Sequence, residues 1–102
     1  MSVTLIQHIV STSGVRGGKP RIDGTRITVS DVVIMHLRIG QSPAEIAGEY
    51  ALPLAGVYAA LAYYYDNKQA IDQEIEADES FALAFHRQNP SRLQAKLNEL
   101  RG

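Results

Sequence analysis

The spacing of apolar positions changes along the chain and predicts a β segment followed by helices. Residues 3–10 (VTLIQHIV) are short and rich in β-branched residues, which predicts a strand. Residues 11–19 are rich in Ser and Gly and read as a loop. Lys19–Ile22 and Thr25–Val29 then flank Asp23-Gly24. An Asp-Gly pair between such runs predicts a hairpin with a two-residue turn, both central positions at positive φ. Pro20 has no N–H for a ladder, which places this strand on an edge.

From Ser30 the period becomes helical. Ser30 is the expected N-cap, with Asp31 at the positive helix end. Val32, Val33, Ile34, Met35, Leu37 and Ile39 make that helix apolar on most sides, so deep packing is expected until Gly40 ends it. Ser42-Pro43-Ala44-Glu45 is a capping box with proline at the first helical position. Pro53 breaks that short helix. Val57, Leu61, Tyr64, Lys68, Ile71 and Ile75 then fall at alternating spacings of four and three, a seam of period 3.5 with Lys68 the one charged member. Unbroken to Asp78, that helix would be about 37 Å long, more than so small a domain can bury, which suggests a second subunit. Asp78-Glu79-Ser80 reads as a break. Phe81 and Phe85, the cap-like Asn89-Pro90, and Leu93, Leu97 and Leu100 follow as an amphipathic tail. The pattern divides the chain into a β-arm plus tri-helical domain at 1–78 and a tail at 79–102.

The 102 residues, 45% hydrophobic and 21% charged, suit one globular domain. The absence of cysteine excludes disulfides and thiolate metal sites. No secretory leader or membrane-spanning stretch is legible, so a cytoplasmic location is expected. The net charge of −1 conceals an asymmetry. Residues 1–40 carry five cations against two acids, net +3. Residues 41–80 carry eight acids against Lys68, net −7, and residues 81–102 carry four cations against Glu99, net +3. The basic ends could meet an anion and the acidic middle a basic partner, or all three could be solvated faces.

Four constellations carry candidate chemistry. The first is a helix–turn–helix spanning Ser42, Glu45 and Ile46, then Ala55, Gly56 and Ala59, which could present its last helix to a major groove. Its expected outward positions are Ala55, Gly56, Ala59, Ala60 and Tyr63, none a residue that makes bidentate base contacts. A helical hairpin used only for packing is the alternative. The second is Gly17-Gly18-Lys19-Pro20, which lacks the first glycine, the hydroxyl and the helix of a P-loop. Arg16, Lys19, Arg21 and Arg26 can still contact a nucleic-acid backbone, where point charges suffice. The third is His8, His36 and His86, which share no metal-ligand spacing, while the acids from Asp72 to Glu79 spread around a helix. No enzyme, metal or cofactor is expected. The fourth is Tyr63-Tyr64-Tyr65: consecutive residues point about 100° apart on a helix, so at least one is buried and at least one exposed.

GKPRIDGTRITVSDVV, then GQSPAEIAGEYALPLAGVYAALAYYYDN, then IDQEI resemble family 433 of the domains of unknown function, over about residues 5–76. The G-x-P-x-I-x-G-T-R-I-x-V string from Gly18 to Val29 is its most specific part. S-x-x-E-I-A at Ser42–Ala47 is the second. The resemblance implies a mainly α, homeodomain-like tri-helical fold behind a β-arm, with a long third helix. It also implies likeness to VapB-type antitoxins, which pair with PIN-like ribonuclease toxins and repress their own operons. It brings no catalytic residue. The motif residues Pro20, Ile22, Gly24, Thr25, Arg26 and Ile27 carry over without an assigned role.

These readings define two expectations. In one, the chain is a dimeric antitoxin whose Arg16, Lys19, Arg21 and Arg26 touch operator phosphates. Its toxin-binding residues are then Tyr63, Tyr64, Asp72, Glu76, Phe81, Phe85, Leu93 and Leu97. In the other, it is a dimerisation and protein-interaction module with no DNA role.

Overall fold

The computed structural model describes residues 7–88 of the chain. They are mainly helical, preceded by a two-stranded antiparallel sheet. β1 (Ile9–Val10) pairs with β2 (Arg21–Ile22), Ile9 opposite Ile22 and Val10 opposite Arg21. Of the strand expected at 3–10, residues 3–6 lie outside the described part. Four helices follow: α1 (Val29–Val33), which continues into a π-helical turn (Ile34–Arg38), α2 (Pro43–Glu49), α3 (Leu54–Asp66) and α4 (Lys68–Gln88). Two compact units result, Met1–Ile71 and Asp72–Gly102.

The Asp23-Gly24 turn forms, with a different geometry from the expected one. Thr25 N–H donates to the Ile22 carbonyl at 3.1 Å. Gly24 alone takes a positive φ, 76°, the mark of a type II turn. The loop is four residues, because Ile22 N–H bonds the Ile27 carbonyl at 2.8 Å. Thr25 closes it: its Oγ1 donates to the Ile22 carbonyl at 2.8 Å and accepts from Ile27 N–H at 3.0 Å. Val29 N–H to the Pro20 carbonyl at 2.9 Å then ties the hairpin to α1.

α1 is capped by Thr28, not Ser30. Thr28 Oγ1 accepts from Asp31 N–H and Asp31 Oδ2 accepts from Thr28 N–H, each at 3.0 Å. The reason is spacing: a capping box needs an acceptor side chain three residues on, and Thr28 has Asp31 there whereas Ser30 has Val33. Ser30 turns inward and is buried. Val29, Val32, Val33 and Met35 are buried as well. Leu37 and Ile39 are not, contrary to the expected deep packing. The helix widens there to a π turn, Ile39 N–H reaching the Ile34 carbonyl at 3.0 Å, and Gly40 ends it at φ 89°.

α2 follows its sequence signature. Ser42 Oγ accepts from Glu45 N–H and Glu45 Oε1 accepts from Ser42 N–H, both at 3.1 Å. Those bonds hold the Glu45 carboxyl below its ordinary value of 4.5, the Ser42 backbone bond contributing most. A lowered carboxyl pKa means that the cap contributes fully above that value and fades as pH falls through the folded one.

The long helix expected from Leu54 to Asp78 is interrupted. Asn67 leaves helical geometry at φ −133° and ends α3. Both its backbone N–H and its Nδ2 donate to the Tyr63 carbonyl, at 3.0 Å each, so the side chain competes for the helical acceptor. Conversely, α4 runs unbroken through Asp78-Glu79-Ser80. Those residues are polar and exposed but include no Gly or Pro, and polarity alone does not stop a solvated helix. Val57, Leu61, Tyr64, Ile71 and Ile75 are buried as the seam predicts, and Lys68 is exposed with its Nζ 5.8 Å from the Tyr64 ring centre.

α3 is the central element of the first unit, in contact with α1, α2, β1 and β2. Ile22, Val29, Val32, Ile46, Val57 and Ala60 are almost wholly inaccessible. Burying an Ile or Val side chain contributes about 1.5–3 kcal/mol, so the hairpin is held to the helices mainly through Ile22.

Candidate functional site

The four basic-arm residues are brought onto one hairpin platform, and two of them hold it together. Arg16 Nη1 donates to the Arg26 carbonyl at 2.7 Å and to Asp31 Oδ2 at 2.9 Å. It thereby joins the loop before β2, the hairpin tip and the cap of α1. Arg16 does this from a left-handed backbone conformation, φ 49°. Arg21 reaches the other way, Nη2 donating to Thr12 Oγ1 at 2.9 Å and Nη1 to the Thr25 carbonyl at 3.3 Å. Lys19 is half-buried, and Arg26 is exposed at the tip.

The helix–turn–helix candidates separate into structure and surface. Ser42 and Glu45 form the α2 cap, and Ile46 is core. On α3, Ala55 is exposed and Ala59 half-buried, whereas Gly56 and Ala60, expected outward, are buried. At Gly56 the hairpin causes this. A Cβ at Gly56 would lie 3.1 Å from Ile22 Cγ2 and 3.3 Å from Pro53 Cγ, so β2 covers a face of α3 that periodicity alone leaves open.

Among the partner candidates, Tyr64 is corrected: it is 4% exposed and belongs to the core. It follows Val57 and Leu61 on the seam, and its edge meets the Tyr65 ring with centroids 5.1 Å apart. Tyr63 and Asp72 are half-buried, and Glu76, Phe81 and Phe85 are exposed. Leu93 and Leu97, with the rest of the expected tail beyond residue 88, lie outside the described residues.

One surface escaped the sequence reading. Leu54, Tyr58, Ala62 and Tyr65 are all exposed on α3 at spacings of four, four and three. Its signal in the sequence is that recurrence of Leu54, Tyr58, Ala62 and Tyr65 at helical spacing. A hollow of about 230 Å³ is lined by Asp31, Ile34, Met35 and Tyr50. Its one acid, Asp31, is already bonded to Arg16 and Thr28, and the hollow is smaller than the roughly 300–1,000 Å³ of ligand pockets. Among the described residues no group of three or more His, Asp or Glu could hold a metal ion. Among them, too, no helix is long and apolar enough to cross a membrane.

Hairpin, capped helices and exposed helix faces define a small, mainly helical protein. Residues 9–64 match the family described as "Protein of unknown function (DUF433)". The crystal structure of a DUF433 member protein from Anabaena variabilis ATCC 29413 is 36% identical, with a TM-score of 0.60, and the match covers 68% of each chain. No curated protein matches. The chain belongs to the DUF433 family.

Proposed function

We propose that the chain is a non-enzymatic antitoxin that binds a PIN-like ribonuclease toxin through α4. The observation that carries this reading is α4 itself. Phe81, Leu83 and Phe85 are 72%, 59% and 43% exposed on a helix that also bears Asp72, Glu74, Glu76, Asp78 and Glu79. Exposed aromatics anchor interfaces because they bring large area at low entropy cost. The acids complement a surface built to attract RNA phosphates. The likeness to VapB-type antitoxins that membership of the family implies supports the same reading. It leads us to expect a small PIN-like nuclease in the adjoining reading frame, whose product co-purifies with this chain. Phe81→Ser with Phe85→Ser is expected to weaken that capture by at least 30-fold, about 2 kcal/mol for the loss of two hot spots. Unchanged capture would remove α4 from the interface.

Operator binding is a second reading, favoured by the gathering of Arg16, Lys19, Arg21 and Arg26 on one platform. In it, α1, α2 and α3 form a homeodomain-like helix–turn–helix. The exposed side of α3 offers no Arg, Lys, Asn or Gln, so affinity comes from phosphate contacts by the arm. Gel shifts on the chain's own promoter at two salt concentrations test this. Arg26→Ala is expected to make the salt dependence shallower by about one unit in log–log slope. Equal, weak binding to every duplex leaves a protein-interaction module with no DNA role.

A further inference from the structure

The outward face of α3 is almost free of charge. Leu54, Ala55, Tyr58, Ala62 and Tyr65 are exposed along it, Leu54, Tyr58 and Tyr65 to 46%, 55% and 62%, and Asp66 closes the row. We propose that this face pairs antiparallel with the same face of a second copy of the chain.

Two features of the face select that occupant. The first is size. Around a two-fold axis level with Ala60, residues equally distant from it in sequence meet across the interface. Tyr58 then meets Ala62, and Ala55 meets Tyr65, so every ring lies over a methyl group. A parallel pairing would set Tyr58 on Tyr58 and leave Ala62 facing Ala62. The second is charge. α3 starts at Pro53, which makes no side-chain cap bond, and its first turn carries no acid. Its positive end therefore lacks a counter-charge of its own. Antiparallel pairing brings the second copy's Asp66 to that end, opposite Leu54. Parallel pairing would instead bring the two Asp66 carboxylates together. No other charged residue lies within α3 to repel its own copy.

The pairing is independent of toxin capture by α4. It occupies the face that would otherwise enter a groove, so any operator contact falls to the hairpin. Sedimentation at tens of micromolar is expected to give a dimer for the unaltered chain. Ala62→Glu sets a carboxylate against the second copy's Tyr58 and is expected to weaken association at least tenfold. Tyr65→Glu does the same at the other contact. Both positions are exposed, so far-UV circular dichroism is expected to stay unchanged in each variant. The chain has no cysteine, which permits a test of direction. Mixing Tyr58→Cys protein with Ala62→Cys protein under mild oxidant is expected to give mainly the mixed 58–62 disulfide. A monomeric unaltered chain, or a dimer indifferent to both Glu substitutions, overturns the pairing. Predominance of 58–58 and 62–62 disulfides overturns its antiparallel sense.

Discussion

Gly56→Val is expected to destabilise the protein by about 3 kcal/mol, at the upper end of what overpacking a filled core costs. The Cβ alone would sit 3.1 Å from Ile22 Cγ2 and 3.3 Å from Pro53 Cγ, before valine adds its two methyl groups. Neither neighbour has an easy escape. Ile22 is 1% exposed and fixed in register between β1 and the hairpin return, and Pro53 is held in the turn that starts α3. Gly56→Ala is the informative comparison. Alanine gains up to about 1 kcal/mol of helix propensity over glycine, so that variant is expected to lose much less. Thermal unfolding followed at 222 nm separates the two, the valine variant melting about 12 °C lower or more. A loss below 1 kcal/mol for valine would mean that α3 can withdraw from the hairpin.

Asp31→Ala is expected to cost about 1–2 kcal/mol, from the Thr28 N–H it leaves unpaired and the lost, partly exposed ion pair, while Thr28 Oγ1 still caps the residue-31 N–H. One carboxylate oxygen, Oδ2, accepts both Thr28 N–H and Arg16 Nη1. Removing it frees the start of α1 and cuts the tie between that helix and the loop before β2. Arg16 would then hold its left-handed backbone with one fewer bond to offset the strain. Asp31→Asn keeps an acceptor and loses the charge, so it is expected to fall about midway. In denaturant titrations, a double-mutant cycle with Arg16→Ala is expected to give a coupling of about 1 kcal/mol. Additive losses would show that Arg16 and Asp31 act separately.

What the sequence made legible is what is decided within four residues. The Ser42–Glu45 box, the turn at Gly24 and the stop at Gly40 are local chemistry, and each forms. The cap of α1 is equally local, yet Ser30 is intrinsically as good a capping residue as Thr28. The deciding factor was Asp31 three residues beyond Thr28. The end of α3 at Asn67 depends on a side chain competing for one carbonyl, an event that hydrophobic spacing does not register. Gly56 faces inward for a longer-range reason: a hairpin more than thirty residues upstream folds onto α3. Long-range packing also decides the use of the arm. A lone sequence presents Arg16 and Arg21 as available cations. Their partners, Asp31 and Thr12, are neighbours only in the folded chain.

The hairpin is thus a structural keystone first, whatever it also contacts. Arg16 braces the cap of α1 and Ile22 seats α3, while most of the large exposed apolar side chains, Leu54, Tyr58, Tyr65, Phe81, Leu83 and Phe85, lie on α3 and α4. That distribution favours protein partners as the centre of the proposed function, with DNA second.

The most direct test of that centre is an RNA-cleavage titration with the PIN-like nuclease expected from the adjoining frame. Adding the purified chain is predicted to abolish cleavage at about one chain per active site, and the Phe81→Ser, Phe85→Ser variant to leave most of it. Undiminished cleavage in a tenfold excess of the unaltered chain would contradict the antitoxin reading.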